Sequence, residues 1–206
     1  ISKDCIDVSA PYLISKNKIN KLLYKKFNLI KKQLLIQGNI KPLIKKKYED
    51  GEEFRYLGRA YKLKIIKGFK YSVQIENQFL VVVIKNTENY IKIKSLIQSW
   101  YYKRSFYYFK EKTFLYAKEN NLKVNSVKIR KYKSRWGSCH INRSITFNWL
   151  LIIAPPEIIK YVIMHELTHL IEYNHSPKFW DHLKNLYPNI NEAKDWLMYN
   201  GKTLSI

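Results

Sequence analysis

Apolar and polar residues recur with different periods along the chain, and these periods predict the order of helices and strands. Between residues 16 and 37 the apolar side chains stand at helical spacing among lysines: Ile19, Leu22, Leu23, Phe27, Ile30, Leu34 and Leu35. This spacing predicts an amphipathic helix that packs on the protein or on a second copy, in preference to a membrane surface. Residues 38–51 read as a linker with charged flanks. An N-terminal helical appendage with its linker is therefore expected over residues 1–50.

A β-rich segment is predicted from residue 54 to residue 84, where aromatic and β-branched residues stand in short runs. The predicted strands are Phe54–Leu57, Tyr61–Ile66, Tyr71–Ile75 and Phe79–Ile84. Gly68 and the Glu76-Asn77 pair supply turns between strands, and short turns favour antiparallel pairing.

The second half of the chain predicts one long helix followed by a mixture of strands and shorter helices. Helical spacing runs from residue 88 to residue 120, and two further strands are predicted at residues 125–132 and 143–149. Pro155-Pro156 opens one helix, Ser176-Pro177 opens another, and a last helix covers residues 191–199. A sheet of mixed pairing with helices segregated around it predicts an α+β fold.

The composition adds a strong positive charge to this pattern. The formal net charge is +22, and Lys outnumbers Arg 32 to 6. Such a charge favours weak, salt-sensitive binding to nucleic acid. However, the lysines are scattered along the chain, and the abundance of Lys, Ile, Asn and Tyr is what an AT-rich coding sequence produces. We therefore favour codon composition over a dedicated nucleic-acid surface as the source of the charge.

Targeting and redox signals point to the cytoplasm. No apolar run reaches the 18 or so residues that a membrane span needs. The N-terminus has no charged segment followed by an apolar core, although the chain begins with Ile1 instead of Met, which indicates trimming. Two cysteines, Cys5 and Cys139, form neither a disulfide framework nor a Cys-x-x-Cys site. The sequence leaves the oligomeric state open.

The candidate chemistry lies in His165-Glu166-Leu167-Thr168-His169. Two histidines four residues apart share one face of a helix and are close enough to bind one zinc ion. Glu166 points to another edge of that face, where its carboxylate can take a proton from the attacking water without binding the metal. The pattern predicts a zinc-dependent hydrolase that cuts peptide bonds, with Glu166 as the general base.

A third ligand is expected downstream, and two candidates stand there. His175 completes a 0, 4, 10 spacing with His165 and His169, as in metal sites where the chain turns sharply after the second ligand. Those sites have Gly three residues after the second histidine, whereas this chain has Glu172, whose carboxylate is the alternative ligand. We favour His175, with the turn made at Asn174, a residue type that tolerates left-handed backbone.

Five sequence blocks stand in a fixed order along the chain. They are Arg135-Trp136-Gly137-Ser138-Cys139, Phe147-Asn148-Trp149, Ala154-Pro155-Pro156, His165-Glu166-Leu167-Thr168-His169 and Asn174-His175-Ser176-Pro177-Lys178-Phe179-Trp180. In this order they resemble the YgjP-like metallopeptidases, a family that looks related to the SprT-like and WLM zincins. The resemblance covers about residues 52–200, whereas residues 1–50 carry no motif of the family.

The resemblance implies a zincin-like metallopeptidase domain over residues 51–206, with its catalytic core at 125–200. It implies one Zn²⁺ per chain and a peptide or protein as substrate. By analogy with zincins, the substrate would pair with an edge strand beside the site. The candidate residues for this pairing are Ile145, Thr146, Phe147 and Asn148.

Several other polar or aromatic side chains near the motifs have candidate roles. Arg135 either stabilises the developing oxyanion or pairs with a structural carboxylate. Asp181 or Asp195 would support a ligand histidine, and His182 would orient an intermediate or simply face solvent. Cys139 is expected to pack in the core or near the metal, with no role as a nucleophile. Trp136 and Trp180 are expected to belong to the framework.

Two further functions stay open at this point. One is a protease that acts on protein bound to nucleic acid, which the charge and the SprT-like kinship suggest. The other is a non-enzymatic module for nucleic acid or a partner, in which zinc only shapes the fold.

Overall fold

The chain divides into two units, residues 1–43 and residues 44–206. The computed structural model describes residues 8, 10, 11, 14–27 and 46–206. In the first unit, helix α1 covers Lys16–Lys25 and none of its side chains is buried. It accounts for the first part of the helix predicted at 16–37, whereas Ile30, Leu34 and Leu35 lie outside the described residues.

The β-rich segment of the second unit forms a four-stranded sheet. Its strands are β1 (Glu53–Tyr56), β2 (Arg59–Lys67), β3 (Ser72–Glu76) and β4 (Phe79–Ile84). The order is β1-β2-β4-β3; β1 and β3 pair antiparallel with their neighbours, and β2 pairs parallel with β4. The expectation of antiparallel pairing throughout is therefore wrong for β2 and β4.

The composition of β4 explains why it takes a central position. Phe79–Ile84 is apolar throughout and largely buried, as is usual for a strand covered on both faces. The more polar β3 takes the edge instead. Directly after β2, the amide of Gly68 donates to the Ile84 carbonyl at the end of β4, at 3.0 Å. A Cβ atom at Gly68 would lie 2.5 Å from Cγ1 of Val83, so the close approach to β4 favours glycine at this position.

The long helix α2 covers Tyr90–Glu119, which confirms the helix predicted at 88–120. The side chain of Asn89 caps its start by accepting the Lys92 amide. The buried residues of the helix form one stripe with a spacing of four: Ile93, Ile97, Tyr101, Ser105, Phe109, Thr113 and Ala117. Through this stripe α2 contacts both β4 and the strand Ser126–Arg130 of a second sheet, so one core joins the two sheets.

The second sheet has three strands: β5 (Ser126–Arg130), β6 (Gly137–Cys139) and β7 (Ser144–Asn148). The order is β5-β7-β6, with β7 parallel to β5 and antiparallel to β6. Strands β5 and β7 confirm the two predicted ones, whereas β6, inside the Arg135–Cys139 block, was not predicted. Ile145–Asn148 was expected to form an edge strand, and this is wrong because β7 is paired on both sides and all its residues are buried.

Three helices complete the second unit: α3 (Pro156–Thr168), α4 (Pro177–Leu186) and α5 (Ile190–Asn200). Short 3-10 turns at Trp149–Ile153 and Gly201–Thr203 lie before α3 and after α5. The starts predicted at Pro155-Pro156 and Ser176-Pro177 are confirmed. Among the described residues, no helix is both long enough and apolar enough to span a membrane. Two mixed sheets with separate helices confirm the α+β class.

Candidate active site

Helix α3 carries three residues of the predicted site on the side that faces β6. Its first turns are buried by Ile158, Ile159 and Val162, so the apolar run holds the helix in the core. His165 follows in the last full turn and His169 is the C-cap. Because they are one turn apart, both rings lie on the same face.

The chain reverses immediately after α3. The amides of Ile171 and Glu172 both donate to the Thr168 carbonyl, at 2.9 Å and 3.0 Å. Asn174 is not among the residues with positive φ, and its Oδ1 accepts the Ser176 amide at 2.9 Å. The expected left-handed backbone at Asn174 is therefore wrong: the tightened helix end turns the chain, and the Asn174 side chain closes the next turn.

This reversal brings the imidazoles of His165, His169 and His175 together. One nitrogen from each ring lies within 4.8 Å of the others, and Nε2 of His165 is 3.1 Å from Nε2 of His175. Two imidazole nitrogens on one tetrahedral zinc ion are about 3.3 Å apart, given Zn–N bonds of about 2.05 Å. The three rings thus have the separation and the donor type to hold one such ion.

The structure places Glu172 differently from His175. The Glu172 backbone carbonyl accepts a hydrogen bond from Nδ1 of His169 at 3.2 Å, which leaves Nε2 of that ring as the free electron-pair donor. Among the described residues, the group able to hold a metal ion contains His175 and does not contain the Glu172 carboxylate. Glu172 therefore supports the second histidine through its backbone.

Phe179 lies beneath all three histidines, and sequence reasoning missed this role. It is fully buried, and its ring centroid is 4.9 Å from that of His165, 4.6 Å from His169 and 4.8 Å from His175. The side chain of Ser176 caps α4 by accepting the Phe179 amide, which fixes the start of this helix below the site. The only signal in the sequence was the position of Phe179 inside the last motif block.

Burial favours the neutral form of His165 and His169, the state in which an imidazole binds a metal. The pKa of His165 falls to about 3, first because the ring is desolvated and then because His169, His175 and Lys194 lie near it. Desolvation likewise lowers the pKa of His169. The Nδ1 atom of His165 is buried without a hydrogen-bond partner in the described chain.

The carboxylate of Glu166 is buried between α3 and β6. The residue is 5% exposed, and burial raises its pKa to about 8, although Arg135 and the backbone amide of Cys139 favour the charged form. A Cβ atom at Gly137 would lie 2.5 Å from Oε1 of Glu166, so glycine is needed where β6 passes the carboxylate. A carboxyl group with its pKa near neutrality can both accept and return a proton.

Arg135 lies at the mouth of the site. It is exposed, it lines the cleft, and its guanidinium lies 5.6 Å from the centroid of the Tyr132 ring. Its charge also acts on Glu166. This position is compatible with both interpretations of Arg135, as a group that stabilises an oxyanion and as a partner of a structural carboxylate.

An open cleft of about 480 Å³ gives access to the histidines and Glu166. Its wall includes β6, Trp136, Tyr161 and Tyr173, whereas Ile145, Thr146, Phe147 and Asn148 do not line it. Neither Asp181 nor His182 lines the cleft, and both side chains are exposed. Asp195 is partly buried on α5 and also lies outside the cleft lining.

Cys139 lines the cleft without the properties of a nucleophile. Burial is the first cause that raises the pKa of its thiol to about 11, and the nearby Glu166 carboxylate adds to this. A thiol with such a pKa is protonated at neutral pH and unreactive. The interpretation of Cys139 as a packing residue fits this environment.

Three imidazoles that converge beside a buried carboxylate form an arrangement suited to activating water. A family model described as YgjP-like, metallopeptidase domain, matches residues 1–200. The match includes residues 1–50, where the motifs had indicated no resemblance. A comparison with curated proteins gave no match. The two mixed sheets with five described α-helices are consistent with a zincin-like fold. Since the match extends over nearly the whole sequence, the chain belongs to the family of YgjP-like metallopeptidase domains.

Proposed function

We propose that this protein is a zinc-dependent peptidase that hydrolyses peptide bonds with Glu166 as the general base. His165, His169 and His175 would hold one Zn²⁺ per chain. The observation that carries the proposal is the convergence of these three rings beside the buried carboxylate of Glu166. With only three protein ligands, such a metal keeps a position open for water or substrate, as catalytic sites require.

The donor set favours zinc. Three imidazole ligands suit Zn²⁺, and no thiolate or carboxylate belongs to the group of ligands in the described chain. When bound, the metal would lower the pKa of water and polarise the scissile carbonyl as a Lewis acid.

Glu166 would move the proton. Its carboxylate takes a proton from the attacking water and then delivers it to the leaving amine. The Cys139 amide orients the carboxylate through a hydrogen bond, and Gly137 leaves space for it. Arg135, exposed at the cleft mouth, would stabilise negative charge that develops on the carbonyl oxygen.

The substrate backbone would pair with β6 in place of β7. Among the described residues, β6 pairs only with β7 and is thus an edge strand on the cleft wall. The ladder bonds from Asn148 to Trp136 and from His140 to Ser144 flank the strand. By the alternation of an antiparallel ladder, the N–H and C=O of Gly137 point away from β7, where an extended peptide can bind them.

Zinc analysis and digestion of a peptide library test this function with two matched variants. Glu166→Gln is expected to retain about one zinc per chain and to lose hydrolysis. Glu172→Gln makes the same chemical change nearby and is expected to retain both the zinc and the hydrolytic activity. Full activity of Glu166→Gln contradicts the mechanism, and loss of zinc in Glu172→Gln would assign the third ligand to Glu172.

A second candidate function is proteolysis of proteins bound to nucleic acid. The observation that favours it is a basic segment that leads into the cleft, since Arg130, Lys131, Lys133 and Arg135 are all exposed. Its test is cleavage with and without DNA at moderate salt.

The control separates this segment from the general charge of the protein. Changing Arg130, Lys131 and Lys133 to Gln is compared with changing the exposed Lys103, Lys110 and Lys118 of α2 to Gln. If DNA stimulates cleavage and only the first triple removes the stimulation, the candidate is supported. Equal effects of both triples, or no response to DNA, contradict it.

We also propose that the chain consists of an appendage over residues 1–50 and a peptidase domain over 51–206, and that the protein resides in the cytoplasm.

A further inference from the structure

His175 differs from the other two histidines in how its ring is held. His165 and His169 belong to the end of α3, and His169 is fixed by its hydrogen bond to the Glu172 carbonyl. His175 lies on the loop before α4 and is exposed. In the described chain its ring makes one hydrogen bond, through the Nε2 atom that faces His165. Another contact must therefore set the orientation of this ring.

The indole of Trp180 supplies that contact. The rings of His175 and Trp180 are stacked, with centroids 5.7 Å apart and an angle of 25° between their planes. Phe179 meets the same imidazole edge-on at 71°, so it supports the ring without defining its plane. The stacked face of Trp180 therefore limits how the imidazole can tilt.

Trp180 is itself held from α5. The Nζ atom of Lys194 lies 3.5 Å from the centroid of the Trp180 ring, a close cation–π contact. Because α4 buries Phe179 and Leu183, the helix does not depend on Trp180 to cover its apolar face. Trp180 is only partly buried, so core packing alone does not account for its orientation.

We propose that Trp180, secured by Lys194, is a positioning residue that holds the His175 ring in the plane required for binding the metal ion. This inference rests on the proposed function, since it assumes that the three histidines bind zinc. Trp180 also lies 6.2 Å from the His165 ring, but tilted by 58°, so its stacked contact is with His175 and its effect is expected to pass through this third ligand.

Zinc affinity, measured by competition with a chromophoric chelator, tests the role of Trp180. Trp180→Leu is expected to weaken zinc binding about 10- to 100-fold, the usual effect of losing a partner that orients a ligand. Trp180→Phe keeps an aromatic face and is expected to stay within about threefold of the wild type. Trp100→Leu is the matched control, because Trp100 packs on Tyr56 and Tyr101 outside the cleft lining. Unchanged zinc affinity in folded Trp180→Leu would overturn the proposal.

Lys194 gives a second test at a more exposed position. Removal of its charge in Lys194→Met would strengthen zinc binding if only electrostatic repulsion mattered, because Lys194 lies near His165. The proposal expects weaker binding, by about threefold, with Lys194→Arg close to the wild type. Zinc binding that is stronger or unchanged in Lys194→Met would contradict the role of Lys194. This test remains available even if Trp180→Leu fails to fold.

A double-mutant cycle separates this inference from the proposed function. In the His175→Ala background, Trp180→Leu should have little further effect on zinc affinity, because its effect passes through the missing ring. Additive effects would overturn the positioning role while leaving zinc binding intact. Absence of zinc binding in the wild type would instead remove the proposed function itself.

Discussion

Gly137 and Glu166 lie so close together that no methyl group fits between them. A Cβ atom at Gly137 would lie 2.5 Å from Oε1, 2.7 Å from Cγ and 2.8 Å from Cδ of Glu166. The backbone of β6 therefore passes directly against the carboxylate, and the Cys139 amide of the same strand hydrogen-bonds it. Strand β6 thus positions the proposed general base and also forms the cleft wall.

Gly137→Ala is expected to reduce kcat/KM by about 100-fold, because the added methyl group displaces the Glu166 carboxylate by the order of 1 Å. Zinc content should stay near one per chain, since the three atoms nearest this Cβ position all belong to Glu166. Kinetics on a peptide identified from the library, together with zinc analysis, check both expectations. A variant with wild-type kcat/KM would contradict the assigned role of the contact.

Gly51→Ala is the control for a general effect of Gly→Ala. Gly51 has φ +82° and open space around its Cβ position, so the substitution causes only backbone strain. It should lower the free energy of unfolding by about 1 kcal/mol and leave kcat/KM unchanged.

The sequence predicted which residues converge at the candidate site better than it predicted the structure that supports them. Helical periodicity places His165 and His169 on one face, and the 0, 4, 10 spacing predicted that His175 joins them. Helix starts were also predictable, since Pro156 and Pro177 suit the first turn of a helix. These are local properties, which depend on neighbours within a few residues.

The missed features depend on contacts between distant segments. The three-residue strand β6 has too few residues for a periodic pattern, and its glycine is explained only by Glu166 on another element. Likewise, the parallel pairing of β2 with β4 depends on which strand is most apolar across the whole sheet. Phe179 could not be recognised as the support of the histidines before the fold brought the motif blocks together.

Cys139→Ala is expected to retain at least about half of the wild-type kcat/KM. The thiol, with its pKa raised to about 11, does not act as a nucleophile, and Glu166 is bound by the backbone amide, which alanine preserves. A thiol-blocking reagent should accordingly leave wild-type activity unchanged, because a protonated thiol reacts slowly. Loss of hydrolysis in a folded, zinc-containing variant would show that the thiol takes part in the reaction.

Phe179→Leu is expected to weaken zinc binding as well as folding, because the smaller side chain leaves space beneath all three imidazoles. A loss of about 1–2 kcal/mol in the free energy of unfolding is typical for a partial truncation in a core. Phe109→Leu is a matched control, since Phe109 is also fully buried but stacks on Phe147 at 4.9 Å, away from the histidines. Denaturant unfolding should show similar losses of stability for the two variants. Zinc competition should show weaker binding only for Phe179→Leu. Equal zinc affinities of the two variants would contradict the support role of Phe179.

In the metal-free protein, Glu166 should lower the free energy of unfolding as the pH rises, and His165 should lower it as the pH falls. Burial raises the pKa of Glu166 from 4.5 to about 8, so its contribution is full below pH 4.5 and is lost as the pH rises through 8. Burial lowers the pKa of His165 from 6.5 to about 3, so its contribution is full above pH 6.5 and is lost as the pH falls through 3. Between pH 4.5 and 6.5 the two slopes oppose each other.

Urea unfolding of chelator-treated protein, wild type against Glu166→Gln, isolates the carboxyl group. The wild-type free energy of unfolding should fall relative to that of the variant by about 1.4 kcal/mol per pH unit between pH 6 and 7.5. The reason is that over this range the carboxyl group stays protonated in the folded protein but is ionised in the unfolded chain, so unfolding releases a proton, whereas glutamine does not titrate. Parallel curves for the two proteins over this range would show that Glu166 is not held protonated by its burial between α3 and β6.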